Sequence, residues 1–292
     1  KGTQPGKPHV CVSAHMDEVG FIIEAATEDG LLRFHPIGGI DPRVVVSKRV
    51  LVGHDLLPGV IGAMAIHLQS AADRNRVLGF DGLYIDIGAK DKAEALAKCP
   101  VGTYAYFDTP YQPFGDGFVC AKALDDRVGC YTILELMRET YPCDVTFVFA
   151  VQEEVGCRGA KTAAYKEEPD IAIVIEGTTA ADIAGTPPEK TVCSLKGGPA
   201  VSFMDHSSVY DRRLYAAAFD MGVKCQPKAY VSGGNNSGAF AQSGAGARVM
   251  ALSPPSRYIH SGSSAAAFED LYGLCELAGK LIVYFNENSS EI

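Results

Sequence analysis

Three short runs of apolar, mostly β-branched residues limit the folds open to this chain most strongly. They read HVCVSA at residues 9–14, VTFVFAV at 145–151 and IAIVI at 171–175. Runs that are almost continuously apolar, without the alternation of a half-exposed strand, are typical of strands that a parallel sheet buries on both faces. The sequence therefore predicts a parallel sheet, and parallel strands need long connections between them, usually helices.

A helix is predicted immediately before the second run, in DDRVGCYTILELMRETYP at residues 125–142. Pro142 ends the pattern. Its apolar residues recur near a 3.6-residue period and are Val128, Tyr131, Ile133, Leu134 and Met137. Strand, helix and strand in alternation indicate a three-layer α/β/α domain with right-handed crossovers.

The segment from about residue 24 to residue 114 has a different pattern. Its apolar runs, such as KRVLVGHD and GTYAYFDTPY, are short and broken by Gly, Pro and Asp, as in a small β domain. The first strand precedes this segment, and the remaining helices and strands follow it. We therefore expect an α/β domain at residues 1–23 and 115–292, interrupted by a barrel-like β domain at residues 24–114.

Charge and hydropathy exclude several classes of partner. A formal net charge of -9 argues against a nucleic-acid groove, which needs a clustered basic surface. No apolar run approaches the roughly 20 residues of a membrane span, and the start KGTQPGKPHV lacks the apolar core of a signal peptide. We expect a cytoplasmic protein without nucleic-acid or membrane partners. Its nine cysteines include no C-x-x-C pair, so neither a disulfide framework nor a zinc knuckle is predicted.

Polar residues that directly follow the buried runs are the first candidates for a functional site. In an open parallel sheet, ligands bind beyond the carboxyl ends of the strands. We add an acidic pair at a loop-to-helix junction and a histidine in SRYIHSGSS. The candidates are His15 and Asp17 after the first run, Glu153 and Glu154 after the second, Glu176 after the third, the pair Asp125 and Asp126, and His260.

Each candidate has a simpler structural explanation when it is taken alone. A histidine after an apolar run is commonly a hydrogen-bonded core residue, and a Glu pair is commonly a solvated strand end. The pair Asp125 and Asp126 could cap the helix that follows. Together, however, these carboxylates on one rim would repel one another and raise one another's pKa values, a cost that cations remove.

The ligand types favour two transition-metal ions. Imidazoles mixed with carboxylates suit zinc, cobalt or manganese, whereas calcium would favour oxygen ligands alone. Six carboxylates and two imidazoles exceed the needs of one tetrahedral ion, so two ions about 3.5–4 Å apart that share a carboxylate fit better. His15 would bind one ion, and Asp17 would accept a hydrogen bond from its other ring nitrogen. Glu153 and Glu154 would point to opposite sides of an extended backbone, which makes one a ligand and the other a general base.

Five ordered motifs resemble those of the glutamyl and deblocking aminopeptidases, peptidase family M42, some of which have been labelled endoglucanases. They are AHMDEVGF at residue 14, KALDDRVG at 122, VQEEVGCRGAKTAA at 151, PDIAIVIEGTTAADIAGTP at 169 and RYIHS at 257. The text PIGGIDPRVV, within residues 31–46, is similar to the family's inserted domain. The resemblance runs from about residue 9 to residue 283.

The resemblance implies a dinuclear metallo-aminopeptidase that acts on short peptides. In the family's pattern His15 and Glu176 hold one ion, Glu154 and His260 hold the other, and Asp125 bridges both. Glu153 is then the general base, Asp17 is the partner of His15, and the peptide bond from Asp125 to Asp126 is expected to be cis. The resemblance also implies homo-oligomers, from dimers to dodecamers, that assemble through the inserted domain.

The sequence departs from the family in three places. Glu176 stands where many relatives have Asp, and relatives carry about a helix and a strand more before the first motif, where fourteen residues precede His15 in this chain. GGNNSGAF at residue 233 stands where relatives often read Gly-Gly-Thr-Asp. Asn235, Asn236 and Ser237 therefore either contact the substrate or form a turn before a helix that starts near Ser237.

Two other functions remain in view at this point. A glycoside hydrolase would also use paired carboxylates, although the chain has no Trp to stack on sugars. A non-catalytic scaffold could capture peptide strands on the β domain, but the presence of Glu153 beside the ligand set disfavours it.

Overall fold

The computed structural model describes residues 1–288, apart from the side chain of Asp73. The chain forms two compact units. The α/β unit comprises Lys1–Asp17, Gln112–Ile259 and Ser264–Ile292; the last four residues of the predicted α/β domain, 289–292, lie outside the described part. The barrel unit comprises Glu18–Tyr111 and His260–Ser263.

Strands and helices both contribute to the fold, together with short 3₁₀ turns. In chain order, the strands are β1 (Val10–His15), β2 (Gly20–Ala26), β3 (Leu32–Ile37), β4 (Arg49–Val52), β5 (Leu57–Ala63), β6 (Leu83–Asp86), β7 (Tyr104–Phe107), β8 (Gln112–Phe114), β9 (Phe118–Ala121), β10 (Val145–Ala150), β11 (Ile171–Ile175), β12 (Thr178–Thr179), β13 (Ala200–Val201), β14 (Gln226–Pro227), β15 (Arg248–Ser253), β16 (Pro255–Arg257) and β17 (Ser264–Ala267). The α-helices are α1 (Ala71–Arg74), α2 (Lys92–Lys98), α3 (Leu124–Leu136), α4 (Arg158–Glu167), α5 (Arg212–Phe219), α6 (Ser237–Ala241) and α7 (Phe268–Glu287). The 3₁₀ turns lie at Pro42–Val44, Ile66–Leu68, Phe80–Gly82 and Pro188–Lys190.

A six-stranded sheet in the order β10-β1-β11-β15-β13-β14 forms the centre of the α/β unit. Its strands pair in parallel except where β13 runs antiparallel to β15. Alternate residues of a strand lie on opposite faces of the sheet. Val10 and Val12 pack into a cluster with α3, α5 and α7, whereas Cys11 packs into a cluster with α4 and α6. Helices therefore cover both faces, and the predicted three-layer α/β/α fold is confirmed.

The three apolar runs do not all become buried strands. β1 and β11 are buried along their whole length. β10 is only half-buried from Val145 to Phe149, because it lies at one edge of the sheet and pairs with β1. The prediction that it is buried on both faces is wrong, since an apolar run alone does not tell an edge strand from a central one.

Helix α3 is present where the periodicity predicts it, but its buried face differs from the predicted one. The helix ends at Leu136, which is buried together with Val128 and Ile133. The buried stripe also passes through Gly129 and Thr132, residues that a pattern of large apolar side chains leaves out. The predicted apolar residues that the structure exposes are Tyr131, Leu134 and Met137.

A second sheet of the α/β unit has the order β12-β16-β17-β9-β8. Arg257, the last residue of β16, pairs with Asp182 through two hydrogen bonds of 2.7 and 2.9 Å. Asp182 also accepts a hydrogen bond of 3.0 Å from the backbone N–H of Leu195. The ion pair thus ties the segment after β12 to the second sheet.

The barrel unit is a closed antiparallel barrel in the order β2-β3-β6-β5-β4-β7. Its core contains a cluster of aromatic rings. The fully buried ring of Phe21 makes edge-to-face contacts with Phe34 and Phe107 at centroid distances of 5.0 and 5.2 Å. Such edge-to-face pairs are favourable beyond the area that they bury. Among the described residues, every helix is too short or too polar to cross a membrane.

Candidate metal centre

The polar residues that follow three parallel strands lie at one edge of the main sheet. His15 is the last residue of β1, Glu176 follows β11 directly, and Glu153 is the third residue after β10. β1 lies between β10 and β11 and runs parallel to both. Because the carboxyl ends of neighbouring parallel strands meet at one edge, the three side chains come from the same rim of the sheet.

His15 is fully buried and faces two carboxylates. Its Nε2 atom lies 3.4 Å from Asp125 Oδ1 and 3.4 Å from Glu176 Oε1. Its Nδ1 atom lies 3.0 Å from the backbone carbonyl oxygen of Asp17. A ring that donates Nδ1–H to this carbonyl turns the lone pair of Nε2 towards the carboxylates, as in a metal-ligating histidine.

Two buried polar atoms of the rim support a bound cation. His15 Nε2 and Glu176 Oε2 have no hydrogen-bond partner within residues 1–288. Burying a polar atom without a partner costs free energy, so such atoms in a folded protein call for an explanation. Nitrogen and carboxylate oxygen are the ligands that zinc and similar transition metals take in proteins. The residues present therefore fit a divalent metal ion.

The candidate ligand atoms form overlapping groups around His15. One group is His15, Asp126 and Glu176, and another is His15, Glu153 and Glu154; within each group the atoms lie within 4.8 Å of one another. The ligand oxygens of Asp125 and Glu154 are equally close. The rim thus offers several carboxylates and one imidazole within reach of a common centre.

The pKa values of the rim show how crowded these carboxylates are. Burial raises the pKa of Glu176 to about 8, and the nearby carboxylates of Asp125 and Glu153 add to the effect. Burial also raises the pKa of Asp126. Burial would lower the pKa of His15, but the nearby carboxylates of Asp125, Asp17 and Glu176 outweigh it and raise that pKa. A divalent cation would stabilise the ionised carboxylates and the neutral imidazole that metal binding requires.

The pair Asp125 and Asp126 combines two roles. Their peptide bond is cis, as expected, and both residues have non-helical backbone angles at the start of α3. Asp126 Oδ1 accepts a hydrogen bond of 3.1 Å from the N–H of Gly129, so Asp126 does cap the helix, and Oδ2 accepts one of 3.2 Å from the N–H of His15. Asp125 Oδ1 instead accepts a hydrogen bond of 3.1 Å from Gly177 and lies at the rim.

Two glycines are required beside these carboxylates. A Cβ atom on Gly177 would lie 2.5 Å from Asp125 Oδ1, and a Cβ atom on Gly129 would lie 2.3 Å from Asp126 Oδ2. Either contact is much shorter than real contacts of this kind. Any larger residue at these positions would displace a carboxylate of the site.

The Glu153–Glu154 pair does not follow the alternation of an extended strand. β10 ends at Ala150, and the backbone turns at Gln152, whose φ is 56°. Both glutamates therefore come close to His15. The carboxylate of Asp17 accepts the N–H of Glu153 at 3.1 Å and that of Glu154 at 3.2 Å. Asp17 was expected to act on the ring of His15, but its Oδ1 lies 3.6 Å from Nδ1, beyond the nearer backbone carbonyl. Its carboxylate fixes the turn of the two glutamates.

His260 belongs to the barrel unit. Its Nδ1 lies 2.9 Å from the carbonyl oxygen of Gly39, and a Cβ atom on Gly39 would come within 3.3 Å of that nitrogen. A backbone carbonyl that accepts Nδ1–H fixes the tautomer and the orientation of a metal-ligating histidine. The role of His260 as a metal ligand stays a prediction.

The segment GGNNSGAF forms a turn before a helix, and this helix, α6, begins at Ser237. Its loop belongs to a buried network that the sequence did not reveal. Asp205 Oδ2 accepts hydrogen bonds from Tyr210 and, at 3.2 Å, from Asn235, while Asn235 Oδ1 accepts the N–H of Ser237 at 2.9 Å. The pattern that could have indicated it is Asp-His-Ser-Ser, starting at Asp205, because Asp and Ser favour turns in which the side chain hydrogen-bonds the backbone. Asn236 is fully buried, and neither polar atom of its side chain has a hydrogen-bond partner in the described part of the chain.

Comparisons with known proteins agree with this arrangement. The family model of the M42 glutamyl aminopeptidases matches residues 1–277. The chain belongs to the M42 glutamyl aminopeptidase family. It is 27% identical over 286 residues to the lysyl aminopeptidase of Pyrococcus furiosus, with 94% of this chain and 81% of that protein covered.

Two solved structures show the same fold. A TET aminopeptidase from a marine sediment archaeon of the Thaumarchaeota superposes with a TM-score of 0.94 at 28% identity, covering 100% of this chain and 84% of that one. The TET1 peptidase of Pyrococcus horikoshii, which can assemble into a tetrahedron or a large octahedral shell, superposes with a TM-score of 0.84 at 32% identity, covering 96% of this chain and 84% of that one. This M42 chain is therefore an aminopeptidase, a hydrolase of peptide bonds, and its family is metal-dependent.

Proposed function

We propose that this chain removes amino-terminal residues from short peptides with the help of two divalent metal ions, zinc, cobalt or manganese, per subunit. The observation that carries the proposal is the pair of buried atoms without hydrogen-bond partners in the described residues, His15 Nε2 and Glu176 Oε2, at a rim of carboxylates. Buried polar atoms of this chemistry are satisfied by metal coordination.

The proposed ligands follow the family's pattern residue by residue. His15 and Glu176 would hold one ion, Glu154 and His260 would hold the other, and Asp125 would contribute to both. The 3.4 Å distances from His15 Nε2 to Asp125 and Glu176 support the first ion. The hydrogen bond between His260 Nδ1 and the carbonyl of Gly39, which fixes the orientation of the ring, supports the second.

Glu153 is the proposed general base. The bound ions would polarise the scissile carbonyl and lower the pKa of water. Glu153 would take the proton of the attacking water and return it to the leaving amine. Burial raises the pKa of Glu153 above its ordinary value, and the charges of Asp125 and Asp17 act in the same direction. A base with a pKa closer to neutral is better suited to both proton transfers.

Asp17 would hold the base in place. Its carboxylate accepts the backbone N–H groups of Glu153 and Glu154, so one side chain fixes a ligand and the base together. Its backbone carbonyl orients the ring of His15. Positioning of this kind matters because a displacement of about 1 Å can lower a rate by about a hundredfold.

The inserted domain at residues 24–114 is proposed to control assembly and substrate access. The assembly of the Pyrococcus horikoshii TET1 peptidase into closed shells supports a homo-oligomer for this chain as well. A hollow particle would admit short or unfolded peptides and exclude folded proteins. We further propose that the enzyme works in the cytoplasm, where its nine cysteines, all free in the structure, would stay reduced.

A panel of aminoacyl chromogenic substrates tests the proposal. The enzyme is first stripped with a chelator, then supplied with zinc, cobalt or manganese, and metal content is measured alongside turnover. We expect the stripped enzyme to be inactive and turnover to return as two ions per chain are bound. Full peptidase activity without metal would refute the proposal, and metal-independent cleavage of a glucan would favour the glycoside hydrolase instead.

A further inference from the structure

We propose that Cys157 is a positioning residue, whose thiol donates a hydrogen bond that orients the carboxylate of Glu153. The inference rests on the proposed role of Glu153 as general base. The thiol sulfur lies 3.2 Å from Glu153 Oε1, a normal distance for a hydrogen bond from sulfur. The motif VQEEVGCRGA places the cysteine four residues after the base.

The local backbone brings the two side chains together. The carbonyl oxygen of Glu153 accepts the N–H groups of Gly156 and Cys157, both at 2.9 Å. This closes a tight turn between the base and the cysteine. Gly156 and Cys157 both have positive φ values, 113° and 54°, so the chain reverses at this point before α4 begins at Arg158.

Other roles for the thiol are less consistent with its contacts. Cys157 occupies the position before α4, yet its side chain makes no capping hydrogen bond to that helix. It is a free cysteine. Among the described residues, the groups close enough to hold a metal ion do not include it. The contact with Glu153 is therefore the polar function that the geometry assigns to it.

The thiol is suited to be a constant donor. Burial raises the pKa of Cys157 to about 12, and the charge of Glu153 adds to the effect, so the thiol keeps its proton at neutral pH. With Oε1 engaged by the thiol, Oε2 is the oxygen of Glu153 that would receive the proton of water. The base is then held in one orientation rather than rotating between two.

Substitutions that share the Cβ atom test this role without changing the backbone requirement. Cys157→Ala removes the S–H donor, and Cys157→Ser replaces it with an O–H donor. We expect kcat of the Ala variant to fall by about fivefold to tenfold with KM changed by less than about twofold, since the hydrogen bond that is lost comes from a thiol, which is a weak donor. We expect the Ser variant to stay within about twofold of the wild type. Cys225→Ala, which removes a half-buried thiol that lies 3.7 Å from Ala218 O, is the control.

The outcomes separate this inference from the proposed function. If Cys157 only fills space, the Ala and Ser variants will both lower the thermal midpoint, Ser at least as much as Ala, and kcat will not fall in either. That result would overturn the inference. Should the Ala variant fail to fold, Cys157→Gly removes the donor at a residue whose φ suits glycine. Glu153→Gln is measured in parallel. An inactive Gln variant with unchanged Ala kinetics rejects the role of Cys157 alone, whereas an active Gln variant rejects the base and the inference together.

Discussion

Asp17 offers the sharpest prediction, because a single carboxylate fixes both glutamates of the proposed site. Its Oδ1 accepts the N–H of Glu153 at 3.1 Å, and its Oδ2 accepts the N–H of Glu154 at 3.2 Å. Burial would raise the pKa of Asp17, but the nearby ring of His15 and the hydrogen bonds from these two N–H groups outweigh it and lower that pKa. The folded protein therefore favours the ionised form, which accepts hydrogen bonds with both oxygens.

Asp17→Asn preserves the shape and removes one acceptor. The amide NH₂ group would face a backbone N–H, so one of the two glutamates loses its hydrogen bond and meets a second donor. A hydrogen bond to a charged acceptor contributes about 1.5–3 kcal/mol. The side chain of Asp17 is 25% exposed, and water can partly replace the lost contact, so the lower half of this range applies. A loss of about 1.5–2 kcal/mol in transition-state stabilisation corresponds to a rate about ten- to thirtyfold lower.

The assay is steady-state hydrolysis of the best aminoacyl chromogenic substrate, together with metal content and the thermal midpoint. We expect the loss in kcat rather than in KM, because Glu153 acts in the transition state. Asp116→Asn is the matched control, since that carboxylate is fully exposed. A folded Asp17→Asn enzyme with kcat within twofold of the wild type would refute the reasoning, as would an equal loss in the control.

Three further predictions concern the site and the two units. Gly177→Ala should place a methyl group 2.5 Å from Asp125 Oδ1, so we expect the variant to lose metal and its turnover to fall by about a hundredfold. Metal analysis and kinetics check this, and a fully active Ala variant would contradict it. Asp182→Asn should lower the free energy of unfolding by about 1–2 kcal/mol at pH 7. Burial would raise the pKa of Asp182, but Arg257 and a backbone N–H outweigh it and lower that pKa. The difference in unfolding free energy between wild type and variant should therefore persist above pH ~4 and vanish as the pH falls further. Urea titrations from pH 3 to pH 7 test this, and a difference that grows towards acid pH would contradict it. Phe21→Ala in the barrel should cost about 3–5 kcal/mol, measured by denaturant titration, and a cost below about 1 kcal/mol would mean that the ring is not packed as described.

The residues at the rim of the sheet could be predicted because two features identify them: their place directly after a buried run, and the parallel arrangement of the strands. Polar residues that follow buried runs can be read directly from the sequence, and the parallel sheet brings their strand ends to one edge. His15 and Glu176 are found in this way, and both face the rim as expected. Likewise Asp125 and Asp126 could be singled out as a pair, although only the family resemblance, and not the residue pattern, distinguished Asp125 as the residue of the rim.

Other features of the site depend on backbone conformations that the residue types do not predict. Gln152 adopts a positive φ, and a glutamine does not signal that conformation as a glycine would, so Glu153 and Glu154 were expected to point apart. The target of the Asp17 carboxylate follows from this turn, and the contact of Cys157 follows from the positive φ values of Gly156 and Cys157. The buried face of α3 was misjudged for a different reason: its stripe runs through Gly129 and other small or polar residues, which carry little weight in a hydrophobic pattern.

The central claim is that His15, Asp125, Glu154 and Glu176 bind metal ions at the carboxyl edge of the sheet. Anomalous X-ray diffraction from crystals of the active enzyme, collected on both sides of the absorption edge of the restored metal, tests it most directly. The account predicts metal-specific density in contact with His15 Nε2 and Glu176, a second peak in contact with Glu154, and Asp125 in contact with both. Metal density elsewhere in the molecule, with none at His15 in an enzyme that turns over, would contradict it.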